Sequence, residues 1–197
     1  KGMPRGYGHI KGCANLESIC DDIKDLGVKY LTVYAFSTEN WKRPKLEVDT
    51  LMTLLATYLS KEIKELHANN VKVTTIGDIS KLPKNCIEQL NNAFELTKDN
   101  TGVNLNLALN YGSRDDIKNA IIDILNDAKC GKINIEEINE NTIKNYLDTK
   151  SIPDPDLIIR TSGEQRLSNF LMWEAAYSEF YFTDIHWPDF NRTELQK

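Results

Sequence analysis

The sequence predicts a single α/β domain, a mostly parallel sheet covered by helices. Three observations predict it. Segments with helical apolar spacing alternate with short apolar, β-branched runs almost from end to end, the pattern of strands joined by crossover helices. The run Tyr30, Leu31, Val33, Tyr34, Ala35, Phe36 is nearly continuous, as expected of a strand buried on both faces of a parallel sheet. The 197 residues, 41% hydrophobic and 27% charged, suffice for one full core and give no reason for a second domain.

The elements follow in order. Leu16, Ile19, Ile23 and Leu26 share one helical face, so residues 15–26 read as a helix ended by Gly27. Residues 29–36 form the first strand. Val48, Leu51, Leu55, Tyr58, Leu59, Ile63 and Leu66 make the longest apolar stripe, predicting a helix over 48–66. A strand over 71–76 stops at Gly77, a helix covers 84–97, and a strand covers 103–109. After the turn Asn110-Tyr111-Gly112, residues 114–128 and 140–147 are predicted helices, and residues 157–159 and 179–182 predicted strands. There is no internal repeat and no low-complexity linker.

Composition excludes several classes. A net charge of −5 argues against a general nucleic-acid binder, which needs excess Lys and Arg. No apolar run is long enough to cross a bilayer. Cys13, Cys20, Cys86 and Cys130 have neither zinc-site spacing nor disulfide density, which fits reduced structural thiols and a cytoplasmic protein. Asn191-Arg192-Thr193 matches a glycosylation acceptor only by coincidence, with no signal peptide in view.

In open α/β sheets, ligands sit beyond the carboxyl ends of the strands. Two polar clusters fall there. Arg160-Thr161-Ser162-Gly163-Glu164-Gln165-Arg166-Leu167-Ser168-Asn169 follows a predicted strand, and its two arginines, hydroxyls and turn amides suit a diphosphate. Lacking G-x-x-x-x-G-K-[ST], it reads equally, on spacing alone, as a surface loop with ordinary salt bridges. Ser37-Thr38-Glu39-Asn40-Trp41-Lys42-Arg43 follows the first strand, offering hydrogen bonds, a cation and Trp41 as an apolar wall; the alternative is a plain strand-to-helix loop turned by Pro44. Arg5-Gly6-Tyr7-Gly8-His9 stands just before a helix, where amide donors and the dipole favour phosphate, although a lone His there also serves as a cap. Asp21-Asp22-Ile23-Lys24-Asp25 has the DDxxD spacing of all-helical trans-prenyltransferases, but it has no second copy and reads as a solvated helix face rather than a metal site.

Taken together, Arg5-x-x-Gly8-His9, the block from Tyr34 to Pro44, Asn110-Tyr111-Gly112-x-Arg114, the block from Asp156 to Phe170 and Glu179-Phe180-Tyr181-Phe182 resemble the cis-prenyltransferase family. The match runs from Arg5 to Phe190. The resemblance implies a central sheet of about six mainly parallel strands, an apolar product tunnel between the sheet and two helices with the 48–66 stripe as a candidate wall, and a homodimer. It implies condensation of isopentenyl diphosphate onto an allylic diphosphate such as farnesyl diphosphate, giving a long-chain cis-polyprenyl diphosphate. The product would be delivered to a membrane, and the protein would be cytoplasmic or peripheral to a membrane such as the endoplasmic reticulum.

The resemblance also implies roles. Arg160, Glu164, Arg166, Leu167 and Ser168 would bind the diphosphate of isopentenyl diphosphate. Arg5 would contact the allylic diphosphate and His9 would assist a phosphate. Phe36, Ser37, Thr38, Glu39, Trp41 and Arg43 would close over the substrates, with Asn40 and Ser37 tied to condensation. Glu179 would bind Mg2+. The family's Met-Asp-Gly-Asn-Gly-Arg-Trp block, whose Asp binds the metal, and its C-terminal tail are not among these residues. The alternative function is a non-catalytic partner subunit. It is disfavoured because such partners typically lose the positions kept here as Asn40, Arg160 and Arg166.

Overall fold

In the computed structural model, the structure describes residues 5–197, with the side chains of Arg5, Gly6, Tyr7 and His9 outside the description. Helix α1 (Arg5–Asp25) buries Leu16, Ile19, Cys20 and Ile23 along one face. It begins earlier than the two glycines at 6 and 8 suggested, so residues 5–9 lie within its first turns rather than ahead of it. Its end is a Schellman turn: Gly27 has φ +77°, its N–H donates to Lys24, and the Val28 N–H donates to Ile23.

Strand β1 (Tyr30–Ser37) leads through a 3-10 turn (Thr38–Lys42) into α2 (Lys45–Ala68), which Pro44 precedes. Met52, Leu59 and Leu66 repeat every seven residues on the buried face of α2. Strand β2 (Lys72–Ile76), α3 (Lys84–Thr97) and β3 (Asn104–Tyr111) follow. Both β1 and β2 pair with β3 in parallel, in the order β1-β3-β2. Every residue of β3 after Asn104 is buried, as its central place requires. β1 lacks the expected burial on both faces: among its residues only Phe36 is buried, because β1 is the outer strand of its sheet and borders a cleft.

Helices α4 (Ser113–Lys129) and α5 (Glu140–Tyr146) precede a second parallel pair, β4 (Leu157–Arg160) and β5 (Glu179–Phe182), and α6 (Arg192–Leu195) closes the described chain. The described residues therefore hold five strands, in sheets of three and two, not one sheet of about six. β1 and β4 have no second strand partner among the described residues, because the cleft runs past both. The DDxxD segment has a structural use: Arg192 bridges Asp22 at 3.4 Å and Asp25 at 2.8 Å, tying α6 to α1. Among the described residues, no helix is long and apolar enough to cross a membrane.

Candidate active site

A cleft of about 1930 Å3 lies among α1, β1, α2 and β4. Leu16, Ile19 and Ile23 of α1 and Leu51, Leu55 and Tyr58 of α2 give it an apolar lining, which places part of the expected 48–66 wall as the stripe predicted. Its polar lining includes Arg43, Glu47, Arg160, Glu164, Arg166 and His186, and also carries Lys11, Lys29, Asp154, Asp156, Glu174 and Asp189. Three of these are arginines, and they reach the cleft from the turn before α2, the end of β4 and the loop after β4. Arg43 pairs with Glu47 at 2.9 Å, and Arg166 pairs with Glu164. The Arg166–Glu164 pair is exposed on both sides, so a diphosphate can exchange for the carboxylate, whereas Glu47 is largely covered.

The loop after β4 is shaped by left-handed backbone at Ser162 (φ 71°), Gly163 (φ 73°), Ser168 (φ 52°), Asn169 (φ 65°) and Leu171 (φ 45°). Two of its turn amides are taken up by the backbone rather than left for a phosphate. The Ser162 N–H donates to Ile185 and the Gly163 N–H to Thr183, so these amides serve the backbone. His186, which the sequence reading missed, places Nδ1 3.1 Å from Ser162 Oγ.

The loop after β1 is built around Asn40, whose Oδ1 accepts the Ser37 N–H at 3.1 Å, leaving the amide NH2 end for other partners. Trp41 lies edge-on to Phe36, with ring centroids 5.0 Å apart, and donates to Asn110 Oδ1 at 2.7 Å. Phe36 is on the cleft wall; Trp41 is not, so it buttresses the wall instead of forming it. Asn110, itself buried with φ 47°, also donates to the Asp78 carbonyl at 2.8 Å.

Three loops meet at Asn169. Its Nδ2 donates to Glu39 Oε1 at 2.8 Å, its Oδ1 accepts the Arg114 N–H at 2.8 Å, and its carbonyl accepts the Ser113 N–H at 2.8 Å. Gly112 makes the approach possible, since a Cβ there would lie 2.6 Å from Asn169 Nδ2 and 2.7 Å from Thr38 Oγ1. Partial desolvation works to raise the Glu39 carboxyl, but hydrogen bonds from its own backbone, Asn169, Ser37 and Thr38 outweigh it and hold the group below the usual glutamate value. Beside them, burial first and then the Glu39 charge push the Tyr34 phenol up to about 12 against the opposing pull of Arg160. Tyr34 also stacks on Phe170, centroids 4.6 Å apart.

Of the residues singled out from sequence, Phe36, Arg43, Arg160, Glu164, Arg166 and Leu167 share the cleft wall. Ser37, Thr38, Glu39, Asn40 and Trp41 form the adjoining loop, and Ser168 lies in the left-handed stretch beside Asn169. The roles expected of Arg5 and His9 fall on side chains outside the described residues. Glu179 is exposed and pairs with Leu157, three residues before the Arg160 pairing with Phe182, which is about 10 Å along the strands. The described residues do not fit a preformed Mg2+ site on this wall. Their one group of three possible ligands is Glu17, Glu62 and Glu65, with oxygens within 4.8 Å of one another, between α1 and α2. Desolvation, followed by the charges of Glu65 and Glu62, raises the Glu17 carboxyl.

Comparisons with known proteins show the family and the fold. A family profile described as putative undecaprenyl diphosphate synthase matches residues 1–197. An isoprenyl transferase of Clostridium tetani is 56% identical over 195 residues, covering 99% of this chain and 76% of the relative. One from Clostridium perfringens is 55% identical over 197 residues, covering 100% and 78%. Among solved structures, lavandulyl diphosphate synthase from Lavandula x intermedia, in complex with dimethylallyl diphosphate, superposes with a TM-score of 0.96 at 37% identity, covering 99% of this chain and 84% of that one. A probable undecaprenyl diphosphate synthase from Campylobacter jejuni gives 0.84 at 33% identity, covering 94% and 85%.

Proposed function

The chain belongs to the prenyltransferase family of undecaprenyl diphosphate synthases, the cis-prenyltransferases, and from that premise we propose that it condenses isopentenyl diphosphate onto an allylic diphosphate, farnesyl diphosphate in particular, to give a long-chain cis-polyprenyl diphosphate. That it is a transferase of prenyl groups follows from the family; the substrates and the product length are the proposal. The observation that supports it is that Arg43, Arg160 and Arg166 line the same cleft as an apolar surface drawn from α1 and α2.

The chemistry is departure of the allylic diphosphate with carbocation character, attack by the double bond of isopentenyl diphosphate, and loss of a proton that leaves a cis double bond. In this reading Arg160 and Arg166 hold the diphosphate of isopentenyl diphosphate with guanidinium forks, and Arg166 leaves Glu164 to do so. Asn40, through its amide NH2, and Ser37 orient the groups that condense. Arg5 and His9 are assigned to the allylic diphosphate. Stabilisation of charge on the departing diphosphate is the largest catalytic contribution. Each isoprenoid unit buried in the cleft adds several methylenes at about 0.8 kcal/mol apiece, so a long product leaves slowly and preferably into membrane or detergent.

Mg2+ is proposed as the cofactor from the chain's family, with Glu179 as a candidate ligand. A homodimer is proposed through the β4–β5 surface, where Phe180 and Phe182 stack at 6.0 Å, both exposed, beside a fully exposed Tyr177. The test of function is incorporation of labelled isopentenyl diphosphate by full-length protein supplied with farnesyl diphosphate. Turnover lost on replacing both Arg160 and Arg166 by Ala supports the reading; unchanged turnover refutes the assignment of this loop.

A further inference from the structure

We propose that Asn169 is a positioning residue that clasps the loop after β1 to the loop after β4, so that the two substrate-handling segments hold one fixed separation. The inference rests on the prenyl-transfer reading above, but its physical core does not. The two loops are far apart in sequence and share no backbone ladder; β1 and β4 belong to different sheets. One amide side chain spans them. Its nitrogen end donates to Glu39 at 2.8 Å, and its oxygen end accepts the Arg114 N–H at 2.8 Å, so the first loop, the start of α4 and the last loop are joined at a single group.

The chemistry of that group is specific. An amide offers a donor to the Glu39 carboxylate and an acceptor to the Arg114 N–H from one short planar head. A carboxylate at 169 would face Glu39 with like charge, and an apolar side chain would leave both partners unmatched. The backbone agrees with the choice, because Asn tolerates the left-handed conformation found there, φ 65°, better than any other residue with a side chain of this reach. The missing Cβ of Gly112 gives the amide its place. Tyr34 adds a weaker tie: its hydroxyl lies 3.2 Å from the Tyr111 carbonyl and 3.5 Å from that of Ser168.

The decisive variant is Asn169→Gly in full-length protein, since Gly removes the amide while keeping the left-handed backbone available. Two readouts are taken. Amide hydrogen exchange should quicken at residues 38–43 and 113–114 while the β3 core is unchanged. In turnover with farnesyl and isopentenyl diphosphates, kcat should fall about tenfold or more, the loss expected of a hydrogen bond to a charged group, with a smaller change in KM for isopentenyl diphosphate. Combined with Glu39→Ala, the Asn169→Gly effect on kcat should largely vanish, because the clasp is already open; a purely structural role would leave the two effects additive. Additive effects, or exchange at residues 38–43 that does not change, overturn the clasp. Wild-type protein that does not turn over would instead overturn the prenyl-transfer reading and with it the role in turnover, while the exchange measurement still decides the contact.

Discussion

Asp116 should make this fold weaken as pH rises, and Asp116→Asn should remove that dependence. The carboxyl sits in the first turn of α4 with only 5% of the residue exposed. Its Oδ1 accepts the Asp148 N–H at 3.0 Å, while Oδ2 is buried without a partner. Burial first, then the charges of Asp148 and Glu174, push it up to about 7 from an ordinary 3.8. The unfolded chain therefore releases this proton near pH 4, whereas the folded protein keeps it until about pH 7. The contribution to stability is complete below the unfolded value and is lost as pH rises through the folded one. Between pH 5 and 7 the loss runs at about 1.4 kcal/mol per pH unit, close to 3 kcal/mol in all. Asn keeps the acceptor for the Asp148 N–H and cannot ionise. Urea denaturation of both proteins from pH 5 to pH 8 should show the Asn variant gaining about 3 kcal/mol on the wild type across that range. Parallel stability curves would refute the argument that Asp116 is protonated in the folded state.

Other outcomes follow from the same coordinates. Gly77→Ala should cost more than about 2 kcal/mol in denaturant titration, because φ is +97° and a Cβ would lie 2.2 Å from the Leu109 carbonyl, a backbone atom that cannot move aside. Gly112→Ala should lower both melting temperature and turnover, by about 1–3 kcal/mol in stability, through the clash with Asn169 and Thr38. Replacing Arg160 alone by Ala should raise KM for isopentenyl diphosphate about 10- to 100-fold, read from initial rates. Removal of divalent metal with EDTA should stop turnover and added Mg2+ restore it, while the melting temperature stays nearly constant, since the described residues hold no preformed cage on the cleft wall.

Much of the architecture was legible because it is written in local spacing. The apolar period of residues 84–97 coincides with α3, and the run at 103–109 overlaps all but the end of the buried central strand β3. The arginines of the cleft wall were found by composition and order, since two guanidinium groups and Gly163 within a few residues are a chemical pattern. What stayed hidden depends on contacts between distant residues. The apolar run of β1 could not announce that it borders a cleft, because burial on both faces and exposure to an apolar hollow select the same side chains. Glycines at 6 and 8 suggested a loop, yet α1 runs through them, its packing being set farther along by Leu16, Ile19 and Ile23. Asn169 and Asn110 resembled ordinary turn residues; their partners Glu39 and Trp41 lie 130 and 69 positions away.

The run of left-handed residues after β4 sets how this protein meets an anion. Ser168, Asn169 and Leu171 hold a conformation that costs an L-residue roughly 1 kcal/mol each, and Leu171 does so while buried. That cost is met when the chain folds, so the loop keeps its shape in solution before any ligand arrives. A small pyrophosphate ion then loses little affinity to loop immobilisation. Inorganic pyrophosphate with no hydrocarbon attached should accordingly bind rapidly and act as a competitive inhibitor, the head group recognised independently of its tail.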